Sequence, residues 1–344
     1  MSDTGRVLTL RELNRTLLVR QLVLRRVPLS PVRAIERVAG VQAQEARSPY
    51  VGLWSRVEGF RRRQLERALR RDAVVKATLM RATLHLVSAR DYPLLASAVR
   101  DAKTTARTRG VEPPPATAVA RAAELARERP VTRRELLAIL GHEERIDPYV
   151  DPRPLRRLHW LLVLAHLEPT ADGALWTPAR VTTFRVPQHE LAPKAAGLEH
   201  LVRRYLRAFG PATGADISEW SGVPVRDLTA ALESLPLRSF RDERDRELLD
   251  LRRAPVVTAD VPSPPRLLPR WDNLFLAHAD RTRVLADEHR KAVIGEQAIL
   301  VDGFAAGTWR EEGGRVVVKP FAPLPPTTLR DLEDEARRLE AWLR

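Results

Sequence analysis

Residues 214–251 read Gly214-Ala-Asp-Ile-Ser-Glu-Trp-Ser-Gly-Val-Pro-Val-Arg-Asp-Leu-Thr-Ala-Ala-Leu-Glu-Ser-Leu-Pro-Leu-Arg-Ser-Phe-Arg-Asp-Glu-Arg-Asp-Arg-Glu-Leu-Leu-Asp-Leu251. The stretch predicts a helix over 214–220, a turn at Ser221-Gly-Val-Pro224, a second helix over 225–235, and a hairpin over 240–251 around a charged centre. Helix, turn, helix and a two-stranded wing form the winged-helix pattern. The same order is read twice more upstream. Thr132-Arg-Arg-Glu135 is a capping box opening a short helix through Leu140, Leu155–Leu167 is a second helix, and Leu167–Thr177 is expected to be a hairpin around Asp172-Gly173. In the first segment, leucines at 10, 13, 17, 18 and 22 predict a helix over 9–26. Ser30-Pro31 starts a short helix that Gly40 ends. Helical stretches at 51–60 and 62–70 and a strand at 78–87 follow, and Ser88–Asp91 resembles a capping box for the next helix.

Glu112-Pro-Pro-Pro115 and the proline-rich run 262–269 read as boundaries. The expected units are 1–112, 116–195 and 196–262, followed by 263–344. That last segment predicts short strands at 274–278, 298–301, 306–310 and 315–320, then a helix with apolar residues at 329, 332, 336, 339 and 343. The fold class is therefore α+β, mainly helical: tandem winged-helix units, three in number, plus a small C-terminal β subdomain.

The charge is localised. The chain has 58 Lys+Arg against 44 Asp+Glu, a net +14. Residues 1–110 hold 23 Lys/Arg and 9 Asp/Glu, while the remainder holds 35 of each. An excess confined to one third of the chain is the footprint of a nucleic-acid partner. The preference for Arg (53) over Lys (5) follows base composition, but that does not explain why the acids fail to balance only here. The chain has no cysteine, which excludes disulfides, thiolate metal sites and thiol nucleophiles. The first six residues lack an apolar signal core and no apolar run has membrane-spanning length, so a cytoplasmic protein is expected.

Within the basic third lies Gln42-Ala43-Gln44. In an extended chain residues i and i+2 face the same way, so two uncharged amides converge on one small target such as a water. Glu45, at i+1, points away. His85 can contact sugar, phosphate or water, and Arg81 and Thr83 share its expected strand face; a lone strand histidine is as often a packing residue. Trp54 reads as core. His142 with Glu143 and Glu144 reads as a polar turn rather than a metal-ligand set, and no metal or cofactor site is expected.

Four blocks in order carry a resemblance. They are Gly40–Gln44 with Pro49–Trp54, Leu79–His85 with Asp91-Tyr92, Trp271-Asp-Asn273 with His278–Arg281, and Val301–Phe304 with Gly307–Arg310. Together, over roughly residues 8–340, they resemble the winged-helix DNA glycosylases of the AlkZ type. The resemblance implies winged helices around a DNA channel and hydrolysis of the N-glycosidic bond of alkylated purines, with interstrand crosslinks unhooked in some members. A YcaQ-like branch carries Gln-x-Asp. Gln44 stands where that Asp would be, which places the chain nearer the Gln-x-Gln branch associated with self-resistance to DNA-alkylating natural products.

The implied partner is double-stranded DNA containing alkylated purines, with no membrane partner and a monomeric enzyme. Gln42 and Gln44 are the implied catalytic pair, with Arg81, Thr83, His85, Asp272 and Asn273 as support. Asp272 is the best carboxylate for a general base, or it pins a loop. Phosphate contacts are expected from Arg11, Arg15, Arg25, Arg26, Arg47, Arg61 and Arg62; the run Arg61-Arg62-Arg63 also reads as a solvated helix end. The alternative is a non-catalytic winged-helix regulator, since helix–turn–helix units most often serve sequence-specific binding.

Overall fold

A computed structural model describes residues 5–107, 111–142 and 151–344. Glu143 and Glu144 lie outside the described residues.

The stretch 214–251 folds around two local signals. Thr213 caps the helix Gly214–Ser221 through a reciprocal box with Asp216, and Gly222 ends it in the left-handed region at φ +79°. The helix Val225–Ser234 follows, then antiparallel strands Leu237–Asp242 and Glu247–Leu251. Ala212, just after the preceding helix Lys194–Phe209, bridges Leu249.

The same connection recurs twice. In the first segment, helix Pro31–Arg37 leads to strand Val41–Gln42, helices Ser48–Trp54 and Arg62–Arg70, and strands Val74–Thr78 and Leu84–Ser88. In the second, helix Ala116–Glu128 leads to strand Val131–Thr132, helices Arg133–Ile139 and Arg153–Leu164, and strands Glu168–Pro169 and Thr183–Arg185. In both sheets the first strand pairs with the last, and the last with the middle one. The chain start crosses over, with Val7–Leu8 joining Leu237–Asp242 in parallel. Strands Arg266–Leu268, Ala298–Val301, Phe304–Glu312 and Arg315–Pro320 form an antiparallel meander. Helix Pro326–Leu343 buries Leu332, Ala336 and Leu339 together with Leu267, Ile299 and Trp309 of that meander.

One apolar core runs through the first and third segments and into the C-terminal strands, including Leu17, Ala77, Val99, Tyr205, Trp220 and Leu300. Helices Tyr92–Arg107 and Lys194–Phe209 come close at Gly197, where a Cβ would lie 2.6 Å from the Leu94 carbonyl oxygen. The second segment has its own core around Ala122, Leu136, Leu161 and Phe184.

Several expected elements differ. The strand over 78–87 is two strands joined by a turn, because Arg81 and Ala82 adopt φ +53°. The helix over 51–60 is Ser48–Trp54, entered through Pro49. Asp172-Gly173 lies in a 3-10 turn, and Glu168–Pro169 pairs instead with Thr183–Arg185; Lys76 Nζ holds that turn through the Gly173 carbonyl at 2.7 Å. Residues 273–275 form a 3-10 turn rather than a strand, because the Asp272 carboxylate caps the Leu274 amide at 3.0 Å. Among the described residues no helix is long and apolar enough to cross a membrane.

Candidate active site

Gly40, at φ +90°, delivers the chain to the strand Val41–Gln42, and a Cβ there would press to 3.1 Å against Val87. Gln42 then pairs with His85 and Val41 with Leu86, and the Ala43 amide donates to the Leu84 carbonyl at 2.7 Å. Gln42 is 8% exposed and Gln44 is exposed. Gln42 Oε1 accepts from Arg81 Nη2 at 3.3 Å, and Gln44 Oε1 accepts from the Leu84 amide at 3.4 Å. Both amide oxygens are thus turned toward one segment, the turn 81–84. Both bonds are long, and each carbonyl oxygen has a second lone pair.

Arg81 joins this motif to the third segment. Its Nη1 donates at 2.6 Å to the Trp220 carbonyl, one of the last carbonyls of the helix Gly214–Ser221, where the helix dipole favours a cation. Gly222 leaves room for the Arg81 backbone, which lies 3.4 Å from where its Cβ would be. Burial pulls the Arg81 guanidinium down to about 10, with nearby Glu219 opposing, so it is a cation at neutral pH.

His85 is fully buried. Its Nδ1 faces the Thr83 carbonyl at 3.0 Å and so carries the proton, while Nε2 is buried with no partner. Burial, and then the Arg81 charge, push its pKa to about 3. It is a neutral imidazole behind Gln42. Thr83 Oγ1 donates to the Met80 carbonyl at 3.0 Å and closes the turn. The expectation that Arg81, Thr83 and His85 share one strand face therefore gives way: Arg81 and Thr83 belong to the turn, and only His85 lies in a strand.

Gln42 also lines a narrow crevice together with Gly40, Ser48, Arg56, Trp271 and Asn273 among others. Both oxygens of Asp272 accept from Arg56, each at 2.8 Å, and both side chains are buried. Arg56 also donates to the carbonyls of Gln21 and Gly52, each at 3.0 Å. Both carboxylate oxygens are thus occupied by the Arg56 guanidinium. Asn273 Nδ2 donates to the Gly40 carbonyl at 3.3 Å, while its Oδ1 is buried with no partner. Glu45 is exposed and paired with Arg270 at 2.9 Å. Arg56 and the Trp220 carbonyl were not legible in the sequence, since their partners lie 216 and 139 residues away.

The arginines of the basic third divide. Arg15 is fully buried and donates to the carbonyls of Val261 at 2.7 Å and Asp302 at 2.9 Å, so it is not available to a phosphate. Arg26 pairs with Glu335 at 2.6 Å and lies over Trp54. Arg62 sits between Trp176, at 4.0 Å, and Trp342, at 4.9 Å. Internal partners hold the guanidinium planes of all three. Arg11 pairs through two nitrogens with Asp302, and Arg47 lies 3.7 Å from Glu311; both remain exposed. Arg25 and Arg61 are exposed with no side-chain partner among the described residues. Among the described residues no group of three His, Cys, Asp or Glu is placed to hold a metal ion.

The family model described as DNA glycosylase AlkZ-like matches residues 35–342. Among solved structures, the DNA glycosylase AlkZ of Streptomyces sahachiroi is similar with a TM-score of 0.76 over 97% of each chain, at 21% identity. A likeness at that identity is one of fold. A comparison with curated proteins gives no match. With the family's match spanning nearly the whole chain, including the Gln42–Gln44 strand and the Arg56–Asp272 brace behind it, this protein belongs to the AlkZ-like family of DNA glycosylases.

Proposed function

We propose that the protein hydrolyses the N-glycosidic bond of purines already made cationic by alkylation, such as N7-alkylguanine and N3-alkyladenine, with Gln42 and Gln44 as the catalytic pair. The observation that carries this reading is the convergence of two uncharged amide oxygens on one turn beside carboxylates that already have partners. The second lone pair of each oxygen accepts a proton of one water and holds it against the open face of the sugar. The amide dipoles favour positive charge developing on the sugar ring. As the C–N bond breaks, its electron pair neutralises the departing base. The water oxygen bonds to C1′ and its proton passes to solvent. Amides are poor bases, so the reaction depends on the leaving group, and unmodified purines are inert.

The repeated helix–strand–helix–helix–strand–strand connection supports reading the units as three winged helices around a DNA channel. The exposure of Gln44 supports an open cleft that engages the adduct within the duplex, which leaves room for an interstrand crosslink. Gln44 in place of a carboxylate supports the self-resistance branch. On this reading the enzyme is a cytoplasmic monomer acting on duplex DNA. Arg25, Arg61, Arg47 and Arg11 carry phosphate contacts, and His85, Asp272 and Asn273 hold the motif in place. Family membership removes the support for a non-catalytic regulator.

The test is release of N7-methylguanine from methylated duplex DNA. Gln42→Ala and Gln44→Ala are expected to lose release while keeping DNA affinity. No release by the wild type, from monoadducts or from crosslinks, overturns the reading.

A further inference from the structure

A second basic feature lies outside this site. Between the helices Pro31–Arg37 and Lys194–Phe209 is an open cleft whose lining includes six arginines and one glutamate. Three of the arginines are held. Arg33 pairs with Glu36 at 3.2 Å, Arg203 with Glu199 at 2.5 Å, and Arg204 with Asp91 at 2.6 Å. Arg37, Arg90 and Arg207 have no hydrogen-bond or ion-pair partner among the described residues. Arg37 and Arg207 repel one another, and burial with that repulsion lowers the Arg37 pKa. Three guanidinium groups lining one cleft, none with a carboxylate partner of its own, favour an anion between them. Their planar forks suit phosphate oxygens.

The cleft is coupled to the glutamine motif through one sheet. Arg37 precedes the strand Val41–Gln42, and Arg90 follows the strand Leu84–Ser88 whose His85 pairs with Gln42. From His85 the strand runs three residues to Ser88, ~10 Å, and a turn then carries the chain to Arg90.

We propose that this arginine cleft is a second phosphate site that grips the DNA backbone away from the nucleotide facing Gln42 and Gln44. The inference rests on reading those two glutamines as the centre of the DNA footprint. None of its residues is among the phosphate contacts expected from the sequence. The site lengthens the footprint and fixes the register of the duplex without touching the reacting atoms.

The test is the salt dependence of binding to an undamaged duplex of about 25 base pairs, for wild type and for Arg90→Ala/Arg207→Ala. Both positions are exposed, and an unchanged melting temperature confirms the fold. The slope of log Kd against log salt is expected to fall by roughly 0.9 for each phosphate no longer neutralised, or by about 2 for the two substitutions together. Affinity at physiological salt should weaken about tenfold or more. An unchanged slope on that duplex overturns the proposal. So does binding of inorganic phosphate or pyrophosphate that the substitutions abolish while the DNA slope stays the same, which would assign the cleft to a free phosphate. Because binding to undamaged DNA needs no base release, failure of release strikes only the glycosylase reading, and failure of the slope only this one.

Discussion

Replacing Asp272 separates a brace from a base. Its carboxylate is 7% exposed and the Arg56 guanidinium is buried, with two bonds of 2.8 Å between them. Asp272→Ala leaves that cation with only the Gln21 and Gly52 carbonyls and strips the cap from the Leu274 amide. Removing one partner of a buried ion pair costs about 3–5 kcal/mol, because the remaining charge stays desolvated. In a chain of this size that corresponds to a fall of roughly 4–7 °C in melting temperature. Asp272→Asn keeps an acceptor for Arg56 and the cap, so it should lose less. The decisive comparison is single-turnover release of N7-methylguanine by Asp272→Asn, run well below its melting point. A brace predicts a rate within about tenfold of wild type. A general base contributes ~10²–10⁴-fold. A folded Asp272→Asn protein slowed by that much, or Asp272→Ala melting like wild type, refutes the reasoning.

Arg62→Ala should cost about 1–2 kcal/mol, because the guanidinium is enclosed by two indole rings and donates to the Trp342 carbonyl at 2.7 Å. Its DNA-binding salt slope should match wild type; a slope reduced by about 0.9 would instead make it a phosphate contact. His85 supplies a pH signature. Unfolded, it takes up a proton near 6.5, whereas in the folded protein burial and the Arg81 charge hold it neutral to about 3. The unfolded chain therefore binds more protons in that window, so this contribution is complete above about 6.5 and is lost as pH falls. Between pH 7.5 and 5.5 His85 should account for about 1.4 kcal/mol of lost stability. Denaturant unfolding of His85→Gln at the two values should show that much less pH dependence than wild type, and equal dependence would count against it.

Much of the local structure was legible because its causes are local. Thr213 and Thr132 start helices through boxes closed three residues later, and Ser30 caps the helix that Pro31 opens. The helix, turn, helix and strand order of 214–251 follows from such signals, and the bias of charge toward the first third is a count along the chain. The two-residue spacing of Gln42 and Gln44 needs only an extended chain to bring their amides to one place. What the spacing could not contain is what they face. Arg81 is expected in a strand, yet it adopts φ +53° in a turn, with its guanidinium on the Trp220 carbonyl far along the chain. Asp272 reads as the best carboxylate for a base, with structural use slightly favoured, and only the fold places Arg56 against both of its oxygens. Arg15 and Arg25 are one residue type in one basic segment, but the first is swallowed by the contact with residues 261 and 302 and the second is left in solvent. Caps, turns and alternation are written over a few residues and need no partner beyond them. Whether a charge is buried, paired or free depends on which distant segment packs against it, and only the folded chain decides that.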